Sequence, residues 1–142
     1  MRFAPSPIKE TFGISYIDSG PGFLRAEYNP GLEYTNAHGT IHGGILSLFL
    51  DHIMGVCCSS VFERGLSMTT TEFTIYFLEP AKPGRLEGEA RILKAGRNVG
   101  FVEGEIRGSA GESVAKAFCS ILIRRMSKDA MGDAETGPDV SF

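Results

Sequence analysis

The chain has 142 residues, 42% hydrophobic and 22% charged, with a formal net charge of −3, which fits one globular domain around a single core. It contains no apolar run near the roughly 18 residues of a membrane span and no basic stripe, so neither a membrane nor a nucleic acid is expected as partner. Three cysteines, Cys57 and Cys58 adjacent and Cys119 apart, suit buried thiols better than a disulfide framework. The opening MRFAPSPIKETF lacks the apolar core of a secretory signal, and a cytoplasmic protein is expected.

After a short N-terminal segment, FGISYID and FLRAEYN flank the turn-rich SGPG and predict the two arms of a hairpin. A loop rich in Gly, Asn, Pro and Thr follows over about 29–41. From about His42 the apolar residues crowd together as far as Phe62, and Gly65 supplies a stop, which predicts one long helix. Beyond it the period changes to two. In TTTEFTIYFLEP, Phe73, Ile75 and Phe77 share one face while Glu72, Thr74 and Tyr76 share the other. AKPG, AGRN and SAGE then separate RLEGEARILKAG, VGFVEGEIRG and SVAKAFCSILIRR. Such short turns predict antiparallel neighbours. The expected order is hairpin, helix and β-meander, an α+β architecture in which one sheet curls around one helix.

The last stretch, residues 127–142, carries Asp129, Asp133, Glu135 and Asp139 against Lys128 alone. It is expected to be a disordered acidic tail after a single domain over residues 1–126. That domain is neutral, with 13 acidic and 13 basic residues.

At 100° per residue, Gly44, Ser47, Asp51, Gly55 and Cys58 fall along one helix face. Small residues there allow close packing against another helix or approach of a slender ligand. Asp51 is the odd member. It lies two turns past the free amides it could cap, in surroundings that predict burial, where an ionised carboxylate needs a partner or a chemical use. A structural ion pair to the sheet is the competing explanation. Gly43 and Gly44 open the helix, so their amides lack intrahelical acceptors and could hold an oxyanion, or could simply form a flexible junction. His42 is either a helix cap or a positioning group.

Gly43 and Asp51 are eight residues apart, about 12 Å along a helix. They cannot both reach one carbonyl from the same chain. If both act on one bond, the amide comes from one chain and the carboxylate from an antiparallel copy, and a twofold dimer makes two such sites.

The run NAHGTIHGGILSLFLD, followed by TTTEFTIYFLEPA, LKAGR and SVAKA, resembles the hotdog-fold acyl-CoA thioesterases of the phenylacetic-acid-degradation and 4-hydroxybenzoyl-CoA thioesterase type. The resemblance covers roughly residues 10–125. It implies a hotdog fold, with a long central helix wrapped by a curved antiparallel sheet, assembled as a homodimer with shared sites and often as a dimer of dimers. It also implies hydrolysis of an acyl-CoA to a free acid and coenzyme A, with no cofactor beyond the coenzyme A of the substrate. Asp51 matches the nucleophile or general base of that family, and Gly43 the amide that polarises the thioester carbonyl from across the interface. Asn36 matches a residue that places the thioester or the attacking water, and His42 and Gly44 complete the motif around Gly43. Thr70 matches a hydroxyl position near the water, and Lys94 and Arg97 match basic residues near the coenzyme A phosphates. For these, an ordinary loop Asn, a strand Thr and solvated surface charge are the alternatives.

Two other functions are weighed against it. A hotdog enoyl-thioester hydratase or dehydratase would pair a loop His with an acid, and no HFPG-like segment precedes this helix. A non-catalytic acyl-CoA-binding module would have no use for Asp51 and Gly43. A zinc site from His38, His42, Cys57 and Cys58 is disfavoured, because adjacent helical cysteines point about 100° apart; no metal is expected.

Overall fold

The computed structural model describes residues 3–126, and the expected acidic tail over 127–142 lies outside them. The N-terminal segment before the expected hairpin, for which no element is predicted, forms a short helix, α1 at Pro7–Phe12. Its proline stands at the start and Gly13 closes it in the left-handed region at φ 67°, the Pro-first, Gly-last asymmetry of helix ends. Phe12 and Gly13 therefore belong to α1 and its cap rather than to the hairpin. That hairpin runs from β1 (Ser15–Gly20) to β2 (Phe23–Tyr28). Gly20 pairs with Phe23, so Pro21 and Gly22 alone make the turn, with Gly22 supplying the positive φ of 73°.

The long helix α2 spans Gly43–Ser59, shorter at its end than the expected Phe62. Serine hydroxyls draw the last carbonyls away from the ladder: Ser59 Oγ donates to the Val56 carbonyl and Ser60 Oγ to that of Cys57, each at 2.7 Å. Ser60 Oγ also accepts from the Gly22 amide at 2.8 Å, which ties the helix end to the hairpin turn. Gly65 marks the entry to the next strand, not the helix stop.

Four strands follow: β3 (Leu66–Phe77), β4 (Leu86–Ala95), β5 (Val99–Arg107) and β6 (Ser113–Arg125). With the hairpin they form a six-stranded antiparallel sheet in the order β1-β2-β4-β5-β6-β3. The expected meander therefore holds only for β4, β5 and β6. β3 lies beyond β6 at the sheet edge, and β4 pairs with β2 instead. The Leu78 and Glu79 amides donate to the Val114 carbonyl, carrying the chain past the end of β6. Pro80 and Pro83 then remove two backbone donors from the connection, which does not continue as strand. AKPG is thus part of a crossover and not a hairpin turn.

The sheet wraps α2, whose Phe49, Leu50, Ile53, Met54 and Cys57 are fully buried. Burial of this order contributes about 1.5–3 kcal/mol for each large side chain. Two glycines let the helix sit this close. A Cβ on Gly88 would lie 2.7 Å from Phe49 Cζ and Ile53 Cδ1, and one on Gly104 would lie 2.8 Å from Met54 Sδ.

Candidate active site

The site forms where the start of α2, its open face and the β3 edge meet. At the helix start, the His42 carbonyl accepts from the amides of Ile45 and Leu46. Its ring Nδ1 accepts from the Gly44 amide at 3.0 Å, so His42 is the N-cap of α2. Its own amide donates to the Tyr34 carbonyl at 2.8 Å, and the Ile41 amide donates to Ala81 at 2.7 Å. The helix start is thereby held by both the preceding loop and the β3–β4 crossover.

The two glycines of the motif now separate. Gly44 has spent its amide on the His42 cap, whereas the Gly43 amide makes no hydrogen bond among the described residues. Gly43 is the donor left open at the positive end of the helix dipole. Its carbonyl accepts from Ser47 Oγ at 2.8 Å.

Asp51 lies two turns on, and its setting differs from expectation. The carboxylate is exposed in the single chain, because the sheet covers only the helix side that carries Phe49, Leu50, Ile53 and Met54. Gly44 beside it is exposed too, and Ser47 and Gly55 are half-buried. Cys58, expected on the same face, departs from it. The thiol is fully buried, with its Sγ 3.0 Å from where a Cβ on Gly100 would lie. The competing explanation, a structural ion pair, finds no support, since Asp51 takes part in no salt bridge among the described residues. Its partner is a hydroxyl: Thr70 Oγ1 donates to Asp51 Oδ1 at 2.9 Å.

Thr70 reaches Asp51 because β3 carries a bulge. Thr70 pairs with Ile121 and Glu72 with Ser120, so Thr71 is the extra residue. Thr71 Oγ1 is occupied with Ser120. The bulge keeps Met68 and Thr70 as well as Phe73 and Ile75 turned toward the helix. Among the three consecutive threonines, Thr70 is thus the one aimed at the carboxylate.

Asn36 is committed to its own loop. Its Oδ1 accepts from the His38 amide and from Thr40, while Nδ2 donates to Thr40 Oγ1 at 2.9 Å. These bonds fold residues 35–41 into a tight turn closed by a bridge between Thr35 and Ile41. Lys94 and Arg97 are exposed at the β4–β5 turn and form no ion pair among the described residues. They stand at the opposite end of α2 from Gly43, since Gly100 in the same hairpin packs on Cys58.

Beside Asp51, His52 points the other way. His52 Nε2 and Tyr16 Oη share a hydrogen bond at 2.8 Å, with their rings stacked at 6.0 Å. Burial holds the His52 pKa below its usual value, opposed by Asp51 and reinforced by Lys9. His52 and Asp51 are not a dyad. The residues considered for zinc are not assembled either: Cys57 Sγ donates to the Ala90 carbonyl at 3.4 Å, and His42 Nδ1 is taken by Gly44. The described residues contain no cluster of three potential metal ligands. An open depression of about 260 Å³ lies over the helix start, lined by Glu33, Tyr34, Thr35, His42, Gly44 and Ile45.

The model of the thioesterase superfamily matches residues 38–115, a span that includes His42, Gly43, Asp51 and Thr70. Acyl-coenzyme A thioesterase 13 of Homo sapiens is 31% identical over 107 residues, covering 72% of this chain and 74% of that protein. Among solved structures, a phenylacetic acid degradation-related protein from Ralstonia eutropha JMP134 is 32% identical with a TM-score of 0.79, over 84% of this chain and 92% of that one. The PaaI protein from the E. coli phenylacetic acid degradation operon is 25% identical with a TM-score of 0.78, over 86% of both chains. The wrapped helix and six-stranded sheet are the hotdog fold of these thioesterases.

Proposed function

The chain belongs to the thioesterase superfamily, and from that premise we propose that it hydrolyses acyl-coenzyme A thioesters through a site shared between two subunits. The observation that carries the reading is the pairing of one open amide, that of Gly43, with one exposed carboxylate, that of Asp51, on the same helix and too far apart to act together. The helix rise separates them by about 12 Å. A second, antiparallel copy of α2 brings the Gly43 of one subunit to the Asp51 of the other.

Two features support the dimer. The helix face bearing Gly44, Ser47, Asp51 and Gly55 is left open by the sheet of its own chain. β3, 12 residues long, lies at the edge of that sheet, with one side unpaired among the described residues. A long open edge invites strand pairing with a second chain. A twofold axis beside it would continue the sheet and cover the open face of α2 together. A dimer of dimers is the further assembly proposed.

In the proposed reaction the thioester carbonyl oxygen accepts from the Gly43 amide, at the positive helix end where charge develops. Asp51 of the other subunit either attacks the carbonyl carbon or takes a proton from a water that attacks it. Thr70 occupies Oδ1 and leaves Oδ2 toward the substrate. By the water route, the C–O bond forms from water, the C–S bond breaks, and the proton held by Asp51 passes to the departing thiolate. By the direct route, an Asp51 anhydride forms as the thiolate leaves, and water then cleaves it, regenerating the carboxylate and supplying the thiolate's proton. In this scheme Asn36 and His42 shape the loop and helix start around Gly43, and Gly44 supports it through the cap. Lys94 and Arg97 are proposed for the phosphates of coenzyme A. No metal or cofactor is invoked. No helix among the described residues is long and apolar enough to cross a membrane, and buried reduced thiols suit the proposed cytoplasmic location.

Release of free thiol from a panel of acyl-CoAs tests the reading. The wild-type protein is expected to cleave at least one class, and Asp51→Asn to lose about 10²–10⁴-fold in turnover. Asp51→Asn with wild-type turnover would refute it.

A further inference from the structure

We propose that Phe77 is a positioning residue of the thioesterase site, its ring shielding one flank of the Gly43 amide from water and fixing where the thioester carbonyl oxygen can lie. The inference rests on the reading of Gly43 as the oxyanion donor and adds a residue to it.

Phe77 is the last residue of β3, and its ring stands over the first residue of α2. A Cβ built on Gly43 would lie 3.0 Å from Phe77 Cζ and 3.2 Å from Cε1. The ring therefore fills the space that a side chain at position 43 would take. A side chain at position 43 would require the Phe77 ring to give way, and no left-handed φ separately calls for glycine there.

Two facts separate this contact from ordinary core packing. Phe77 remains 54% exposed in the single chain, so its ring is not held there by burial on all sides. The residue it borders carries the amide at the helix start that has no acceptor among the described residues. An aromatic wall beside an open donor removes competing water, and a donor in a dry site is stronger toward developing negative charge. The exposed remainder of the ring offers the thioester an apolar surface to lie along. The backbone beneath it is fixed, because the next amide, that of Leu78, donates to Val114 at 2.8 Å.

Phe77→Ala is expected to lower kcat for thiol release by about tenfold or more, with KM changed far less, because the loss falls on transition-state contacts. Phe77→Tyr, which keeps the ring, is expected to restore turnover. Gly43→Ala keeps its amide but pushes the ring aside; in the Phe77→Ala background it should cost less than alone, giving coupling between the two positions. A readout independent of turnover is hydrogen exchange at the Gly43 amide followed by NMR. Phe77→Ala should lose protection there and Phe77→Tyr should keep it. Unchanged exchange in Phe77→Ala, equal impairment of the Tyr variant, or a purely additive double mutant would overturn the proposal. If the wild-type protein releases no thiol from any acyl-CoA, the functional reading fails, while the exchange measurement still decides whether Phe77 shields Gly43.

Discussion

Thr70 Oγ1 donates to Asp51 Oδ1 at 2.9 Å, joining the edge strand to the open face of the helix. The bulge at Thr71 makes this possible, because without the extra residue the threonine would turn to the other face of the sheet. Among the described residues no other group holds this carboxylate, so the bond fixes its rotamer and leaves its second oxygen open.

Thr70→Val keeps the branched shape and removes the donor. One hydrogen bond to a charged group is worth about 1.5–3 kcal/mol where it is fully expressed, so turnover should fall by roughly tenfold. Thr70→Ser should retain most of it. The pair is exposed, so thermal melting should move little. A Val variant with wild-type kcat would remove Thr70 from the site.

Much of this was legible in the sequence because the signals are local. The hairpin turn at Pro21 and Gly22, the run from Gly43, and the alternation around Phe73 and Ile75 each follow from neighbouring residues. The position of β3 did not, because its partner β6 lies some 50 residues away and no local signal distinguishes that pairing from one with β4. Asp51 was expected to be buried because its neighbours in sequence are. The single chain leaves it exposed, since seven apolar neighbours say nothing about which side of a helix a curved sheet will cover. Pro7 and Gly13, which bound α1, are local signals like those of the hairpin turn. The division of labour between Gly43 and Gly44 depends on the His42 ring rotamer, which a sequence does not show.

Stability should pass through a plateau in pH. Burial raises the thiols of Cys57 and Cys119 to about 12 and that of Cys58 to about 11, from 9.0, and raises the Tyr16 and Tyr28 phenols to about 12 from 10.0. The folded chain thus holds these protons more tightly than the unfolded one. Their contribution is complete below about pH 9 and is lost as pH rises toward 12. His52 is shifted down from 6.5 by burial, so the unfolded chain binds its proton more readily and stability falls as pH drops below 6.5. Melting temperatures across this range should be highest between the two limits, and His52→Gln should flatten the acid side. A stability that keeps rising above about pH 10 would contradict the burial of these groups.

Gly88→Ala tests the packing of helix on sheet. The new methyl would meet Phe49 Cζ and Ile53 Cδ1 at 2.7 Å in a core where both are fully buried, and overpacking of this kind costs about 1–3 kcal/mol. The melting temperature should fall by several degrees. Gly39→Ala offers no such contact, but its φ of 74° penalises any side chain, so Gly20→Ala, which meets nothing within 4 Å and needs no positive φ, is the better control. An unshifted Gly88→Ala protein would mean that α2 sits farther from β4.

The shared site is tested most directly by mixing two inactive variants. Asp51→Asn removes the carboxylate. Gly43→Pro removes the amide at the first helical position, where the backbone accepts proline after a His42 whose φ of −59° and ψ of 135° suit the residue before one. Its Cβ also displaces the Phe77 ring, so the variant loses that whole half of the site and keeps Asp51. Each variant alone should release little thiol. After subunit exchange, half of the dimers should be mixed, each with one intact pairing of Gly43 and Asp51, and turnover should recover to about one quarter of wild type. If verified subunit exchange leaves the mixture as inactive as its parents, the Gly43 of one subunit and the Asp51 of the other do not form one site, and the shared site is wrong.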